Sequence, residues 1–296
     1  MISSLIRAFN VNTPAEYPST YLEFRSSTPM TITPKYTNSG VLLQYKIGGG
    51  QWNDIATDVA TPSASVIYFR GVATGYKRLC TTTSTTNAWV FTGASDLEVI
   101  GSINSLIQDV LGGDVLTIPL ATICYSNMFR NCTSLTVAPT LPATTLATSC
   151  YSSMFYGCTS LTVAPTLPAT TLACYCYRDM FLGCTSLTVA PTLPATTLVY
   201  NCYDSMFYGC TSLNTLISLP ATTLDSYCYY GMFQGCINIK VSTTKTGIYQ
   251  KLYRIPKTGT GVTAAEALVD MFYNSGGTFT GTPTINTTYY TANTIV

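Results

Sequence analysis

Apolar and polar positions alternate with different periods in different parts of the chain. Between Tyr21 and Ile100 the period is two. Residues 21–24, 30–33, 41–47, 66–70, 88–92 and 97–100 read as strands, separated by Pro29, Pro34, Gly48-Gly49-Gly50, Pro62 and Gly93. In 41–47, Val41, Leu43, Tyr45 and Ile47 share one face, and Leu42, Gln44 and Lys46 share the other. The three glycines after Ile47 predict a hairpin into Gln51 and Trp52. This many short strands in about 80 residues predicts an antiparallel sandwich or small barrel. Its expected core holds Phe24, Tyr45, Trp52, Tyr68, Phe69, Trp89 and Phe91.

The period then becomes helical. Ile103, Leu106, Ile107, Val110 and Leu111 recur at i, i+3, i+4, i+7 and i+8, with Ser102 as N-cap and Gly112-Gly113 as the stop. An amphipathic helix here is expected to cap the repetitive segment that comes next in the chain. From residue 124 to residue 240 one 26-residue unit recurs, with Met-Phe pairs at Met128-Phe129, Met154-Phe155, Met180-Phe181, Met206-Phe207 and Met232-Phe233. A fixed period of this length marks a stacked repeat, since no single unit buries its own apolar face. Within a unit, Leu161-Thr162-Val163 reads as a short strand with Leu and Val inward, and Pro165 and Pro168 bar a helix just after it. Cys150, Met154 and Phe155 at i, i+4 and i+5 predict two turns of helix ending at Gly157. The expected coil is therefore strand, extended Pro-bounded run and helix. After Lys240 the period fails. A helical pattern at 264–273 with Met271-Phe272 then echoes the unit, as a degenerate last repeat would.

Ten of the 12 cysteines keep the same step: Cys124, Cys150, Cys176, Cys202 and Cys228, then Cys132, Cys158, Cys184, Cys210 and Cys236. Five members per column cannot pair completely with their neighbours. The spacing within a unit is also too long for the C-x2-4-C pattern of zinc sites. Buried thiols acting as small hydrophobes are expected. Cys80 and Cys174 stand outside the columns, and Cys174 is the thiol to test for reactivity.

Composition narrows the function. The chain is 47% hydrophobic but only 9% charged, with net charge +1, so its polar surface must come from Thr, Ser, Asn and Tyr. Nucleic acid binding needs a concentrated basic patch. Lys245, Lys251, Arg254 and Lys257 do not supply one, so no nucleic acid partner is expected. No apolar window is long enough to cross a membrane as a helix, and MISSLIRAFNVNTP lacks the apolar core of a secretory signal. The expectation is a protein made in the cytoplasm. The sequence contains no histidine, which removes Ser-His-Asp and Cys-His catalysis and most metal sites. Acidic residues are scattered, and Asp179 and Asp204, on consecutive units, read as a solvated face. No catalytic residue, cofactor or metal is expected, and the chain is read as non-enzymatic.

What remains is a binding surface. Units differ from one another mainly in the predicted helix: Ala147-Thr148-Ser149 against Ala173-Cys174-Tyr175, Val199-Tyr200-Asn201 and Asp225-Ser226-Tyr227, and Ser152-Ser153 against Arg178-Asp179, Asp204-Ser205 and Tyr230-Gly231. The candidate ligand-facing residues are Tyr156, Arg178, Asp179, Asp204, Tyr208, Tyr230 and Gln234.

Pro142, Leu146, Cys150-Tyr151, Met154-Phe155 and Gly157-Cys158-Thr159-Ser160-Leu161, repeated from Pro168 to Leu187, resemble the leucine-rich repeats of the BspA-like (Treponema-type) class, with Met-Phe where that class has Ala-Phe. The whole chain is similar to repeat proteins encoded by gut Bacteroides and by phages that infect them. That resemblance implies surface adhesion for bacterial members and virion fibres or decoration proteins for phage members. The expected fold is multi-domain. A β-rich, sandwich-like attachment or oligomerisation domain covers 1–100, a helical N-cap 101–114, an α/β leucine-rich-repeat solenoid of five units 115–245, and a degenerate C-terminal cap 246–296. The expected function is a phage virion fibre or appendage presenting the repeat to host-surface glycan or protein, with a bacterial cell-surface adhesin as the alternative. The N-terminal domain is expected to join other virion proteins or further copies of the chain into a homo-oligomer.

Overall fold

The computed structural model describes residues 21–36, 41–73, 79, 84–107, 120–255, 264 and 266–296. The alternating stretch forms strands β1 (Leu22–Thr33), β2 (Val41–Ile47), β3 (Asn53–Ile55), β4 (Ala64–Ala73), β5 (Val90–Thr92) and β6 (Leu97–Ile100). The expected runs at 21–24 and 30–33 are one strand, whose pairing with β4 is interrupted between Arg25 and Met30. The first half of β1 lies between β4 and β6, and its end pairs with β5. The sheet runs β3-β2-β4-β1-β6-β7, where β7 (Leu135–Val137) belongs to the first repeat.

The expected sandwich is thus corrected to a single seven-stranded sheet. Its inner residues Leu22, Phe24, Leu43, Ile67, Phe69, Leu97 and Val99 need no second sheet, because the repeats and the segment around Ile103 lie within the same apolar core. Phe91 stacks on Phe129 at 5.8 Å and 14°, Trp89 N–H donates to the Met128 carbonyl at 2.9 Å, and β6 pairs in parallel with β7. Trp52 and Tyr68 are not core. With Tyr21 they are half-buried around Lys46, whose Nζ is 5.1–5.3 Å from the three ring centroids.

The expected capping helix is also corrected. Ser102 does cap, accepting from Asn104 N–H at 3.3 Å, but the element is a 3-10 helix, Ile103–Leu106. Residues 108–111 of the expected helix lie outside the described residues. Gly71 of β4 permits this packing, since a Cβ there would fall 1.8 Å from the Leu106 carbonyl oxygen.

The largest correction concerns the repeat. Only 3% of the structure is helical, no α-helix occurs among the described residues, and the α/β leucine-rich-repeat solenoid is not what the chain builds. The segment expected to be helical is a run of overlapping turns. Cys150, Ser152, Met154, Tyr156 and Cys158 N–H groups donate three residues back, to the carbonyls of Ala147, Ser149, Tyr151, Ser153 and Phe155. The intervening N–H groups of Ser149, Tyr151, Ser153, Phe155 and Gly157 leave the unit altogether, for the carbonyls of Cys174, Cys176, Arg178, Met180 and Leu182 in the next one, at 2.7–3.0 Å. An α-helix would satisfy all these groups internally. Here half are spent on the neighbour, and the stack is hydrogen-bonded from unit to unit as a sheet is.

The turns require a left-handed residue every fourth position: Ser149, Ser153 and Gly157, then Tyr175, Asp179 and Gly183, then Asn201, Ser205 and Gly209. In-register stacking aligns like side chains. Tyr125, Tyr151, Tyr177, Tyr203 and Tyr229 stack at 5.8–5.9 Å. Phe129, Phe155, Phe181, Phe207, Phe233 and Phe272 stack at 5.6–5.8 Å, all within the range for offset stacking. The valines expected inward point out: Val137, Val163 and Val189 are 42–62% exposed, while Leu135, Leu161 and Leu187 are fully buried.

At the C-terminal end the expected helix over 264–273 is a sixth turn run. Tyr229, Gly231, Phe233 and Gly235 N–H groups donate to the carbonyls of Ala267, Val269, Met271 and Tyr273. β8 (Thr215–Leu216), β9 (Val241–Ser242), β10 (Lys251–Arg254), β11 (Thr288–Thr291) and β12 (Thr294–Ile295) close this end, as β10-β11-β9 and as a parallel β12-β8 pair. Asn293 ties them to the stack, its amide donating to the carbonyls of Asn214 and Asn238 at 2.9 Å.

Candidate functional site

The two cysteine columns are structural. No disulfide joins the described cysteines, and the ten column members are buried. The Sγ of Cys158, Cys184, Cys210 and Cys236 each donates to the phenylalanine carbonyl of the preceding unit, at 2.9–3.1 Å. Burial pushes the Cys184 and Cys236 thiols up to about 12, so they stay protonated and unreactive at neutral pH. Cys174 is half-buried beside Tyr175, and Cys80 lies outside the described residues. Among the described residues no group of three His, Cys, Asp or Glu side chains could hold a metal ion, and no helix is long and apolar enough to cross a membrane.

One concave site interrupts the regular surface of the turn runs. Tyr175, Arg178, Tyr200, Asn201, Asp204, Tyr227 and Tyr230 line a groove of about 320 Å³ across three consecutive units. Its size falls at the lower end for small-ligand pockets. The rings form a chain of edge-to-face contacts: Tyr175 to Tyr200 at 5.4 Å, Tyr200 to Tyr227 at 5.9 Å and Tyr227 to Tyr230 at 5.7 Å. Tyr175 and Tyr227 occupy left-handed positions, φ 59° and 56°, that Ser149 and Asn201 hold in the neighbouring units. Such a backbone is uncommon for a bulky side chain and costs about 1–2 kcal/mol. The turn framework demands the conformation, and both tyrosines hold it while remaining partly exposed.

The polar floor is held by charge. Arg178 Nε lies 3.2 Å from Asp204 Oδ2 and 3.5 Å from Asp179 Oδ2, and its guanidinium stands 5.8 Å from the Tyr175 ring centroid. Asp204 also accepts from the Ser205 hydroxyl at 2.8 Å. Burial pushes the Asp179 carboxyl up to about 6, helped by the Asp204 charge and opposed by Arg178 and Arg130. Asp204 moves in the same direction for the same leading reason, burial. On the rim, Glu266 hydrogen-bonds Tyr227 and pushes its phenol pKa up.

Of the residues expected to face a ligand, Arg178, Asp204 and Tyr230 line this groove, and Asp179 supports it through Arg178. Tyr156, Tyr208 and Gln234 do not enter it. Tyr156 lies under the Arg130 guanidinium, 3.5 Å from its ring centroid, Tyr208 is exposed, and Gln234 is half-buried on the same repeat position as these two. Tyr175, Tyr200, Asn201 and Tyr227 were missing from the expected set, although they sit in the segments that vary between units. At Tyr175, Tyr200 and Tyr227 the signal was a large aromatic at a position where another unit carries Ser or Asn, and Asn201 carried no such signal.

Compared with known protein families, curated proteins and solved structures, the chain finds no match in any of the three. The function must be argued from the groove.

Proposed function

We propose that this protein is a non-enzymatic adhesion module whose tyrosine groove binds carbohydrate. The observation that carries this reading is the Tyr175–Tyr200–Tyr227–Tyr230 chain around Arg178, Asn201 and Asp204, where the periodic surface gives way to clustered aromatics. Tyrosine faces take up the C–H patches of a sugar ring, while a guanidinium and an amide in fixed positions pair with its hydroxyls. Tyr and Arg are also the residue types that dominate binding energy at interfaces. The arrangement holds no histidine, and its Asp204 carboxylate is engaged by Arg178 and Ser205, which suits it to holding a ligand rather than transforming one. The repeat serves as a shaft, and the N-terminal sheet as the end that joins other copies or partner proteins. In this reading the assembly is a virion appendage facing a host-surface glycan, supported by the sequence resemblance of the repeat and by the described cysteines, which form no disulfide.

A glycan array followed by titration calorimetry tests the groove. The parent is expected to bind a defined set of glycans, and Tyr200→Ala and Tyr227→Ala to lose at least ~10-fold in affinity, the scale of one interface hot spot. Tyr208→Ala, outside the groove, is expected to bind as the parent does. A parent that binds no glycan, or groove variants that bind undiminished, would sink the reading.

A further inference from the structure

Arg178 is the only cation among the residues lining the groove, and it is held in an unusual way. Both carboxylates make their ion-pair contact at Nε, and among the described residues no hydrogen bond from the guanidinium to the protein is found. Its side chain is 47% exposed, whereas those of Asp179 and Asp204 are only 22% and 11% exposed. The ligand therefore meets the outer edge of the guanidinium, a planar pair of donors, and meets the carboxylates only through their field. That field is negative. Asp179 and Asp204 together exceed the charge of Arg178, and a further carboxylate, Glu266, lies at Tyr227. The other nearby cation, Arg130, is engaged over Tyr156 in an earlier unit.

We propose that the groove selects neutral glycans over acidic ones: Asp204 and Asp179 fix Arg178 through Nε, its Nη groups bind adjacent neutral hydroxyls, and the surplus of carboxylate repels anionic sugars. An unclamped arginine would favour a carboxylate ligand through a bidentate pair. Here that attraction is already satisfied from behind. Amino sugars or basic peptides would need the carboxylates to face outward, and Asp204 is turned in toward Ser205 and Arg178. The inference rests on the groove being a carbohydrate site.

The test uses the full chain with matched probes, lacto-N-neotetraose and its sialylated derivative, on the array and by calorimetry. The neutral probe is expected to bind about 10-fold more tightly, the ratio that one unit charge about 12 Å away produces at an effective dielectric of about 20. Arg178→Lys keeps the charge but loses the planar pair of donors, and is expected to weaken the neutral probe about 10-fold. Asp204→Asn is expected to narrow the ratio. Because Asp204 is buried and replacing it puts folding at risk, the exposed Glu266→Gln supplies the same readout, a ratio reduced a few-fold with circular dichroism unchanged. Equal or stronger binding of the sialylated probe, lost in Tyr227→Ala, would overturn charge selection and leave the carbohydrate groove standing. Failure of both probes and of every arrayed glycan would remove the groove reading itself, and charge selection with it.

Discussion

Asp179 occupies a left-handed position, φ 55°, with a carboxyl group only 22% exposed, and its ionisation is linked to the stability of the stack. Its pKa is about 6 in the folded chain against 3.8 unperturbed, because burial outweighs the Arg178 charge. Below about pH 4 the group is protonated in both folded and unfolded chains. Between about 4 and 6 it is protonated only when folded, and above 6 it is ionised in both. The folded state thus binds more protons across that window, and the stability it confers at low pH is lost as pH rises through about 6. Two pKa units correspond to about 3 kcal/mol at most. Asp179→Asn removes this loss, and Asn tolerates the left-handed backbone. The variant is expected to melt roughly 3–6 °C above the parent at pH 7 and level with it at pH 4, as followed by circular dichroism. A difference that does not change with pH would show that burial does not govern this carboxyl.

At the scale of the element, the turn run explains both what the sequence revealed and what it hid. The columns of Tyr, Phe, Leu and Cys were legible because a 26-residue period places like side chains in register whatever backbone carries them. The backbone itself was not legible from the apolar positions. Cys150, Met154 and Phe155 at i, i+4 and i+5 suit a helix, and a four-residue succession of turns returns side chains to the core at nearly the same interval. The polar positions distinguish the two. Ser149, Ser153 and Gly157, Asn201, Ser205 and Gly209, and Gly231 with Gly235 mark every fourth residue with a type that tolerates positive φ, which an α-helix never requires. Tyr175, Tyr200, Asn201 and Tyr227 sit in the same variable segments as Arg178, Asp204 and Tyr230, and variation between units does not show which of these positions the turns bring together. Two glycines separate conformation from crowding. At Gly209, φ +70°, an added Cβ meets nothing within 4 Å, so Gly209→Ala is expected to cost about 1 kcal/mol. At Gly71 the Cβ would fall 1.8 Å from the Leu106 carbonyl oxygen, and Gly71→Ala is expected to cost over ~3 kcal/mol by forcing β4 from the 3-10 helix. Denaturant midpoints that rank the two equally would contradict this separation.

The N-terminal sheet, the repeats and the C-terminal strands share one apolar core. Its phenylalanine column runs from Phe24 and Phe91 of the N-terminal sheet through Phe129 to Phe233 and on to Phe272 under the C-terminal strands. Each unit touches mainly its two neighbours, so stability should accumulate as intrinsic terms plus nearest-neighbour interfaces. Deleting residues 147–172 removes one whole period and brings Leu146 before Ala173, with every column still in register. Asn131 then meets Gly183 as it met Gly157, and Arg130 loses its contact with Tyr156, where Leu182 now stands. The groove lies entirely in the retained units. The shortened chain is therefore expected to unfold in a single transition, a few degrees below the parent, and to bind the same glycan with affinity within about 2-fold. Deleting residues 147–159 removes half a period, sets Leu146 before Ser160 and turns every later column out of register, so that chain is expected not to fold. If the full-period deletion also failed to fold, stability would have to reside in contacts beyond neighbouring units. The ring columns and inter-unit hydrogen bonds would then be a consequence of the fold rather than its cause.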